Sequence, residues 1–221
     1  MGELPAGVVT FFFTDMEGST RLLARIGRER YARVLAEHKR LLEDAVTRNG
    51  GTIVDDEGDG VFAVFGRAKE AVVAASEAHR DLEEHDWGDA DGPRVRIGLH
   101  TGEAERAGDA LVGLAVHRAR RICDAAQGGR TMLSSTTRDL AEDDLPPGLV
   151  LRDAGERRLK DIPRPERLSE LVEVADLAPA RRIRVEVQME KGWPPSRRTL
   201  LIAGGIAAAT AALVVLLVLV L

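Results

Sequence analysis

Two aspartates in the first third of the chain lie where a carboxylate could take part in chemistry. Asp15 closely follows an apolar run over residues 8–13, and Asp59 lies between two glycines just before a second run over residues 61–65. Each acid therefore stands where a buried-strand pattern breaks. Hard divalent cations prefer oxygen ligands, and two carboxylates so placed can share one. The spacing predicts a metal site between Asp15 and Asp59.

A turn of small residues, Gly18, Ser19 and Thr20, comes shortly after Asp15 and opens a helical pattern. Such a turn at the start of a helix presents backbone N–H groups that bind phosphate oxygens. The alternative is that Ser19 or Thr20 only caps the helix. Next to the two carboxylates, the turn indicates a site for a metal–nucleotide.

The elements that must position these residues follow from the apolar spacing. Residues 8–14 predict a buried strand, and the helical spacing after them is interrupted near Gly27 and stopped by residues 49–51. The order strand–helix–strand–strand–helix–strand is that of a ferredoxin-like α+β sandwich. The other predicted elements are strands at 52–54, 61–65, 95–99 and 131–134, helices at 68–82 and near 114–126, and short strand-like pieces over 149–174.

Composition limits the classes of function. The chain has 221 residues, of which 30% are charged and 44% hydrophobic, as expected for a globular domain with an appendage. Its net charge of −5 argues against general nucleic-acid binding, because there is no excess of cations for phosphate backbones. Cys123 is the only cysteine, so an intrachain disulfide is impossible and a reducing compartment is expected.

The C-terminal stretch has the composition of a membrane span. Residues 200–221 contain no charged side chain, and a helix over them would be about 33 Å long, enough to cross a bilayer core. Arg197 and Arg198 precede it, and basic residues flanking a span prefer the cytoplasmic side. We expect a linker at 175–198 and a single transmembrane helix at 199–221, which anchors the chain in the cell membrane with its globular part in the cytoplasm. A buried core helix is the alternative.

The chain resembles the bacterial class III nucleotide cyclases, the superfamily of adenylyl and guanylyl cyclase catalytic domains. Residues 13–20 read Phe-Thr-Asp-Met-Glu-Gly-Ser-Thr, the opening that marks this bacterial branch. Five further strings occur in the family's order, at 50–51, 58–60, 96–102, 116–121 and 155–161. The resemblance covers residues 7–174 and implies one catalytic domain of the class III cyclase type.

The resemblance implies a reaction and a cofactor. In this family the ribose 3′-hydroxyl of a nucleoside triphosphate attacks the α-phosphate and releases pyrophosphate, with two Mg²⁺ or Mn²⁺ ions in each site. Asp15 and Asp59 match the two metal-binding aspartates, and Met16 would add only its backbone carbonyl. The amides of residues 17–20 would receive the triphosphate.

The resemblance also assigns two basic residues and a partner. Arg121 matches the arginine that stabilises charge on the pentavalent phosphorus, and Lys160 falls where the family has a lysine that contacts the triphosphate. A solvated helix face and a plain basic surface are the respective alternatives. In the family, two domains pair head to tail and the arginine comes from the second subunit. A chain with one such domain would therefore act as a homodimer.

Three substrate positions depart from the family's pattern. Asp55 stands where adenylyl cyclases have a lysine that reads adenine, and Ala110 stands where they have an aspartate. A carboxylate accepts hydrogen bonds from guanine or from the amine of cytosine, so Asp55 favours a base other than adenine. His117 replaces the asparagine that orients the ribose; it can act in its place or be a partly buried helix residue.

These observations predict a membrane-anchored nucleotidyl cyclase that makes a 3′,5′-cyclic nucleotide at a homodimer interface, with its base preference open. The three altered positions leave a second hypothesis, a catalytically inactive cyclase-like module for nucleotide binding or dimerisation at the membrane. A third hypothesis is a pyrimidine nucleotide cyclase in phage defence, which a non-adenine pocket would suit.

Overall fold

A computed structural model describes residues 7–55, 58–88, 92–107 and 110–176 of the chain. This part is a mixed α+β structure built on one sheet, as predicted. Within it, no helix is both long enough and apolar enough to cross a bilayer. The predicted span at 199–221 and nearly all of the linker at 175–198 lie outside the described residues, so both remain predictions.

The sheet has eight strands in the described part of the chain, in the spatial order β2-β3-β1-β4-β6-β8-β7, with β5 paired to β4. The pair β4–β6 is parallel, whereas the other strand pairs are antiparallel. The strands are β1 Gly7–Met16, β2 Thr52–Asp55, β3 Phe62–Phe65, β4 Val95–Ala107, β5 Ala110–Val112, β6 Arg130–Ser134, β7 Leu149–Arg157 and β8 Glu166–Glu173.

The helices follow the predicted order around the first four strands, β1–helix–β2–β3–helix–β4. The break near Gly27 separates two helices, because this glycine has φ 78°, a left-handed value that a helix cannot contain. The helices are α1 Ser19–Ile26, α2 Arg28–Arg48, α3 Ala68–Glu84, α4 Leu114–Ala125 and α5 Ser135–Ala141, with short 3₁₀ turns at Glu142–Asp144 and Val174–Asp176.

The two faces of the sheet have different covers, and the alternation of side chains along β1 decides which residue faces which. Phe12 lies in the main core with Leu99, under α2 and α3. Phe11 and Phe13 pack on the opposite face, where α4 provides the cover. Asp15 shares this second face by the same alternation. The strand therefore delivers a carboxylate to the α4 side of the sheet.

Helix α4 lies directly on the backbone of β4. A Cβ atom built on Gly98 would lie 2.2 Å from the backbone nitrogen of Cys123, a distance that no side chain can occupy. Glycine at this position is therefore what lets the helix approach the strand. This close approach brings Arg120 of α4 over the end of β1.

Three elements differ from the predicted pattern. Strand β4 continues to Ala107 instead of ending at residue 99, because β1 and β5 supply partners along its whole length. Helix α5 was not predicted; the side chain of Ser134 caps it by accepting a hydrogen bond from the Thr137 N–H. The pieces predicted over 149–174 are two long paired strands, β7 and β8.

Candidate active site

Asp15, at the end of β1, lies between two arginines. It is opposite Arg96 in the register of β1 and β4. The Nη1 atom of Arg96 is 3.6 Å from Asp15 Oδ2, and the Nη2 atom of Arg120 is 3.5 Å from Asp15 Oδ1. The Asp15 side chain is 23% exposed. Each oxygen of this carboxylate therefore faces a guanidinium group and is still reachable from solvent.

The turn that carries Asp59 is locked against the end of β1. Thr14 N–H donates to the carbonyl of Val61 (3.0 Å), and Val61 N–H donates to Thr14 Oγ1 (2.7 Å). A Cβ atom on Gly60 would lie 2.5 Å from the Thr14 carbonyl oxygen, and Gly58 has a left-handed φ of 73°. The two glycines thus let the turn fold tightly onto the strand, as the sequence pattern predicts.

The two aspartates interact electrostatically. Burial raises the pKa of Asp15, and the Asp59 carboxylate raises it further, against the lowering effect of Arg120 and Arg96. Two carboxylates that repel each other in a half-buried place gain from a shared cation, so the pair suits a divalent ion. The two carboxylates therefore lie within electrostatic range of each other, and their shared metal role stays a prediction.

The remaining ligands for such an ion would have to be oxygens of the main chain, water or substrate. No cluster of three or more His, Cys, Asp or Glu side chains suited to a metal occurs among the described residues. Met16 is 2% exposed and its side chain packs in a small apolar cluster, so it has only a backbone carbonyl to offer. The set of two carboxylates and one carbonyl fits an oxygen-preferring ion such as Mg²⁺ or Mn²⁺.

The small-residue turn after Asp15 opens α1, as predicted, but its capping residue is Gly18. Gly18 adopts the left-handed conformation with φ 70°, and its carbonyl accepts the first helical hydrogen bond, from Leu22 N–H. Ser19 and Thr20 lie inside the first turn, so neither is the N-cap, and the alternative of a serine or threonine cap is wrong. Their N–H groups lie in the first turn, where they have no acceptor within the helix and where such groups can bind an anion.

Two side chains of α2 reach the segments that carry the site. The Tyr31 hydroxyl lies near the side chain of Ser19. The Nε2 atom of His38 lies 3.0 Å from the main-chain carbonyl oxygen of Asp59 and donates to it. Burial and the Asp59 carboxylate raise the pKa of Tyr31, and burial lowers the pKa of His38.

Arg121, on α4, does not contact Asp15 or Asp59. Its guanidinium lies 3.1 Å from Asp124 and 3.0 Å from Asp161, and these carboxylates raise its pKa. Its neighbour Arg120 is the arginine that contacts Asp15. His117 is exposed one turn before Arg121, on the same side of the helix. Arg121 and His117 thus form a second group, separate from the aspartates.

Lys160 belongs to this second group. It lies in an exposed turn between β7 and β8, next to Asp161, which has a left-handed φ of 61° and pairs with Arg121. The ion pair ties the lysine turn to α4. The predicted residues therefore fall into two groups, one around Asp15, Asp59 and the Gly18 turn and one around Arg121.

The two predicted base-reading positions lie at strand ends. Asp55 is exposed at the end of β2, opposite Phe62, whose ring stacks on that of Phe13 at 4.2 Å and 7°. Ala110 begins β5 and pairs with Ala107. The Asp55 strand thus borders an aromatic pair on the same sheet face as Asp15.

Sequence reasoning missed several residues of the site. Arg96 and Arg120 belong to strings at 96–102 and 116–121 that the resemblance includes, but their contacts with Asp15 depend on strand register and on how α4 packs. Tyr31 and His38 had one signal, because both fall on the apolar stripe of α2 that also contains Val34 and Leu41. A polar residue on such a stripe is a candidate for a specific contact.

Two histidines away from the aspartates, the buried His100 and the half-buried His79, predict how stability depends on pH. Burial lowers the pKa of His79 and of His100 to about 4, and their rings bond to Thr131 and Ser134. Because the unfolded chain binds a proton near pH 6.5, stability is complete above that pH and falls as the pH drops toward 4. We expect each histidine to lower the free energy of unfolding by about 2 kcal/mol between pH 7 and pH 5.

Urea unfolding of the chain at pH 7 and pH 5 measures this loss. The variant His79→Leu is expected to lose its share of the pH dependence and to keep the share of His100. An unchanged pH dependence in that variant would contradict the assignment.

No family model matches the chain. An uncharacterized protein of Mycobacterium tuberculosis is 35% identical over 170 residues, which are 76% of this chain and 56% of that protein, so the chain spans about half the length of this relative. A solved adenylate cyclase of Trypanosoma brucei in its monomeric state superposes with a TM-score of 0.70 at 22% identity, over 80% of this chain and 92% of the other. The guanylate cyclase domain of RhGC from Catenaria anguillulae, solved with GTP, gives a TM-score of 0.67 at 21% identity, over 76% of this chain and 97% of the other. The structural neighbours of the chain are thus class III adenylyl and guanylyl cyclase catalytic domains, and its described part has their fold.

Proposed function

We propose that the chain is a nucleotidyl cyclase, which converts a nucleoside triphosphate to a 3′,5′-cyclic nucleotide and pyrophosphate. The observation that carries this proposal is the pair Asp15 and Asp59, held together beside the Gly18 turn on a fold shared with cyclase catalytic domains. The acid pair can bind cations and the turn can bind phosphate, which is what a metal-bound triphosphate requires.

Asp15, Asp59 and the Met16 carbonyl would hold the divalent ions. When bound, these ions supply acidity to the ribose 3′-hydroxyl and neutralise charge on the phosphates. The chain's own groups do the rest: the N–H groups at the start of α1 orient the phosphate oxygens, and an arginine stabilises charge that develops on phosphorus.

The arginine for that role is Arg121, and a second copy of the chain would have to bring it. Within one protomer Arg121 is bound to Asp124 and Asp161 and stays away from Asp15. Val112 and Leu114, which lie beside the start of α4, are 40% and 52% exposed, and exposed apolar groups of this kind favour a pairing surface. Two copies related by a two-fold axis would form two composite sites.

The base pocket would lie at the end of β2. Asp55 is an acceptor and can bind the N1–H and amine of guanine, or the amine of cytosine, but has no proton for adenine N1. The stacked pair Phe13 and Phe62 next to this strand offers an aromatic surface, on which any base can lie. We therefore propose a substrate other than ATP.

The C-terminal stretch at 199–221 completes the proposal as a membrane anchor. Tethering would confine protomers to a plane and raise their effective concentration for pairing.

A specific contact favours a second candidate, an inactive nucleotide-binding or dimerisation module. Both oxygens of Asp15 face guanidinium groups, those of Arg96 and Arg120. These positive charges lie where a metal ion bound to Asp15 would have to be. If neither arginine moves away, the carboxylate stays neutralised and cation binding is weak.

Product analysis separates the two candidates. The full chain in detergent is incubated with ATP, GTP, CTP or UTP and with Mn²⁺ or Mg²⁺, and products are identified by mass spectrometry. We expect a cyclic nucleotide and pyrophosphate from GTP or CTP in preference to ATP. Absence of product from all four nucleotides at high protein concentration, with nucleotide binding retained, would replace the cyclase proposal with the inactive module.

A further inference from the structure

Helix α2 contacts two segments of the candidate site, the turn after β1 and the turn that carries Asp59. Tyr31 and His38 are seven residues apart, which places them on one side of the helix, two turns from each other. Tyr31 packs against Met16 and Leu22, on either side of the turn after β1, and His38 bonds to the main chain of Asp59 in the turn before β3. Between them, Val34 is buried, so this side of α2 is packed against the domain and not free to move.

A histidine at position 38 has a cost in folding free energy. It is 0% exposed, and its Nδ1 atom has no hydrogen-bond partner in the described part of the chain. A buried polar atom without a partner disfavours folding, and a leucine at this position would avoid that cost. What the histidine provides in return is the Nε2–H···O bond to Asp59, at 3.0 Å.

The bond from His38 to Asp59 restrains the turn between β2 and β3. Thr14 fixes the later part of the turn, through its hydrogen bonds with Val61. His38 fixes Asp59 itself, from the side of the sheet that α2 covers. Because the main chain is restrained at Asp59, the separation between the Asp59 and Asp15 carboxylates is fixed.

Tyr31 has the matching role at the phosphate-binding turn. Its ring packs with Met16 and Leu22, the apolar residues on either side of that turn. Its hydroxyl lies near Ser19. The packed ring thus supports the turn that presents the N–H groups of α1.

We propose that Tyr31 and His38 are positioning residues, which make α2 a brace that sets the spacing between the phosphate-binding turn and the Asp59 turn. This inference rests on the proposed function for its purpose, but its contacts do not. Neither residue touches the reacting atoms; each acts through the segment that it holds.

The test for His38 separates local order from global stability. In the full chain, His38→Leu is expected to leave the urea midpoint the same or higher, while amide hydrogen exchange of residues 58–61 becomes about tenfold faster. Mn²⁺ affinity, titrated without nucleotide, is expected to fall about tenfold, and His38→Gln, which keeps a donor, restores most of it. The control His79→Leu changes a half-buried histidine that bonds to Thr131, and should alter neither the exchange of residues 58–61 nor the Mn²⁺ affinity.

The test for Tyr31 uses Tyr31→Ala, which removes the packed ring, and Tyr31→Phe, which keeps it, as the control. Binding of inorganic triphosphate is expected to weaken about fivefold in Tyr31→Ala and to change little in Tyr31→Phe, while Mn²⁺ affinity stays unchanged in both. Unchanged exchange at 58–61 in His38→Leu, or an equal change in His79→Leu, would overturn the brace. A wild-type chain that binds neither Mn²⁺ nor triphosphate would refute the proposed function instead, and the exchange measurement would still decide on the brace.

Discussion

Replacing Asp59 with asparagine is expected to slow cyclic nucleotide formation by about a thousandfold, equivalent to about 4 kcal/mol of transition-state stabilisation. Asparagine keeps the size of the side chain and the tight Gly58–Gly60 turn, but it removes the charge that a cation needs. The Asp59 carboxylate also raises the pKa of Asp15, so removing it relieves repulsion in the folded state. We therefore expect turnover to be lost without loss of stability. Product formation and urea unfolding of the same preparation measure the two effects.

The control for this substitution is a carboxylate with an ordinary structural role. Glu142 is exposed and pairs with Arg138 at 2.7 Å, which lowers its pKa, and Glu142→Gln should leave turnover unchanged. Asp15→Asn should behave like Asp59→Asn, because both acids belong to one site. Residual activity above about a tenth of the wild-type rate in either aspartate variant would rule out a shared metal role.

The end of β1 could be predicted from sequence because its signals are local. The run of phenylalanines sets a strand, its alternation puts Asp15 on the face opposite Phe12, and the glycines around Asp59 require a tight turn. Each of these inferences depends only on residues that are neighbours along the chain. The same holds for the break between α1 and α2 at Gly27.

The ion pairs of Asp15 could not be predicted, because they join residues that are distant along the chain. Arg96 reaches Asp15 through the register of β1 with β4, and Arg120 reaches it because Gly98 lets α4 lie on the strand. The family resemblance selects Arg121, for a site that a second copy of the chain completes, and within one copy the arginine at Asp15 is its neighbour Arg120. One residue of difference on a helix is a rotation of about 100°, which only the packing decides.

The full length of strand β4 and the presence of helix α5 could not be predicted from sequence for a second reason. Residues 102–107 contain glycine and several charges, a composition that predicts a loop, yet pairing with β1 and β5 makes them strand. Helix α5 has seven residues, too few for an apolar period, and depends on the Ser134 cap. In both cases tertiary contacts override a weak local preference.

Because Arg121 is separate from Asp15 and Asp59, two variants that are each inactive should restore activity when they are mixed. Mixing Asp59→Asn with Arg121→Ala, by coexpression, is expected to restore about a quarter of the wild-type rate. Random pairing makes about half of the dimers mixed, and each mixed dimer has one site with both an intact aspartate pair and an intact arginine. The rate of cyclic nucleotide formation per protomer, relative to each variant alone, measures the recovery.

The control mixture combines Asp15→Asn with Asp59→Asn. Both substitutions lie in the same group of residues, so each of the two sites in a mixed dimer retains one damaged aspartate, and no recovery is expected. Recovery in the first mixture and none in the second would assign the aspartates and Arg121 to different protomers of one site. Failure of the first mixture, with mixed dimers demonstrated by sedimentation, would mean that Arg121 acts within its own protomer, and the bonds to Asp124 and Asp161 would then have to break before it reached Asp15.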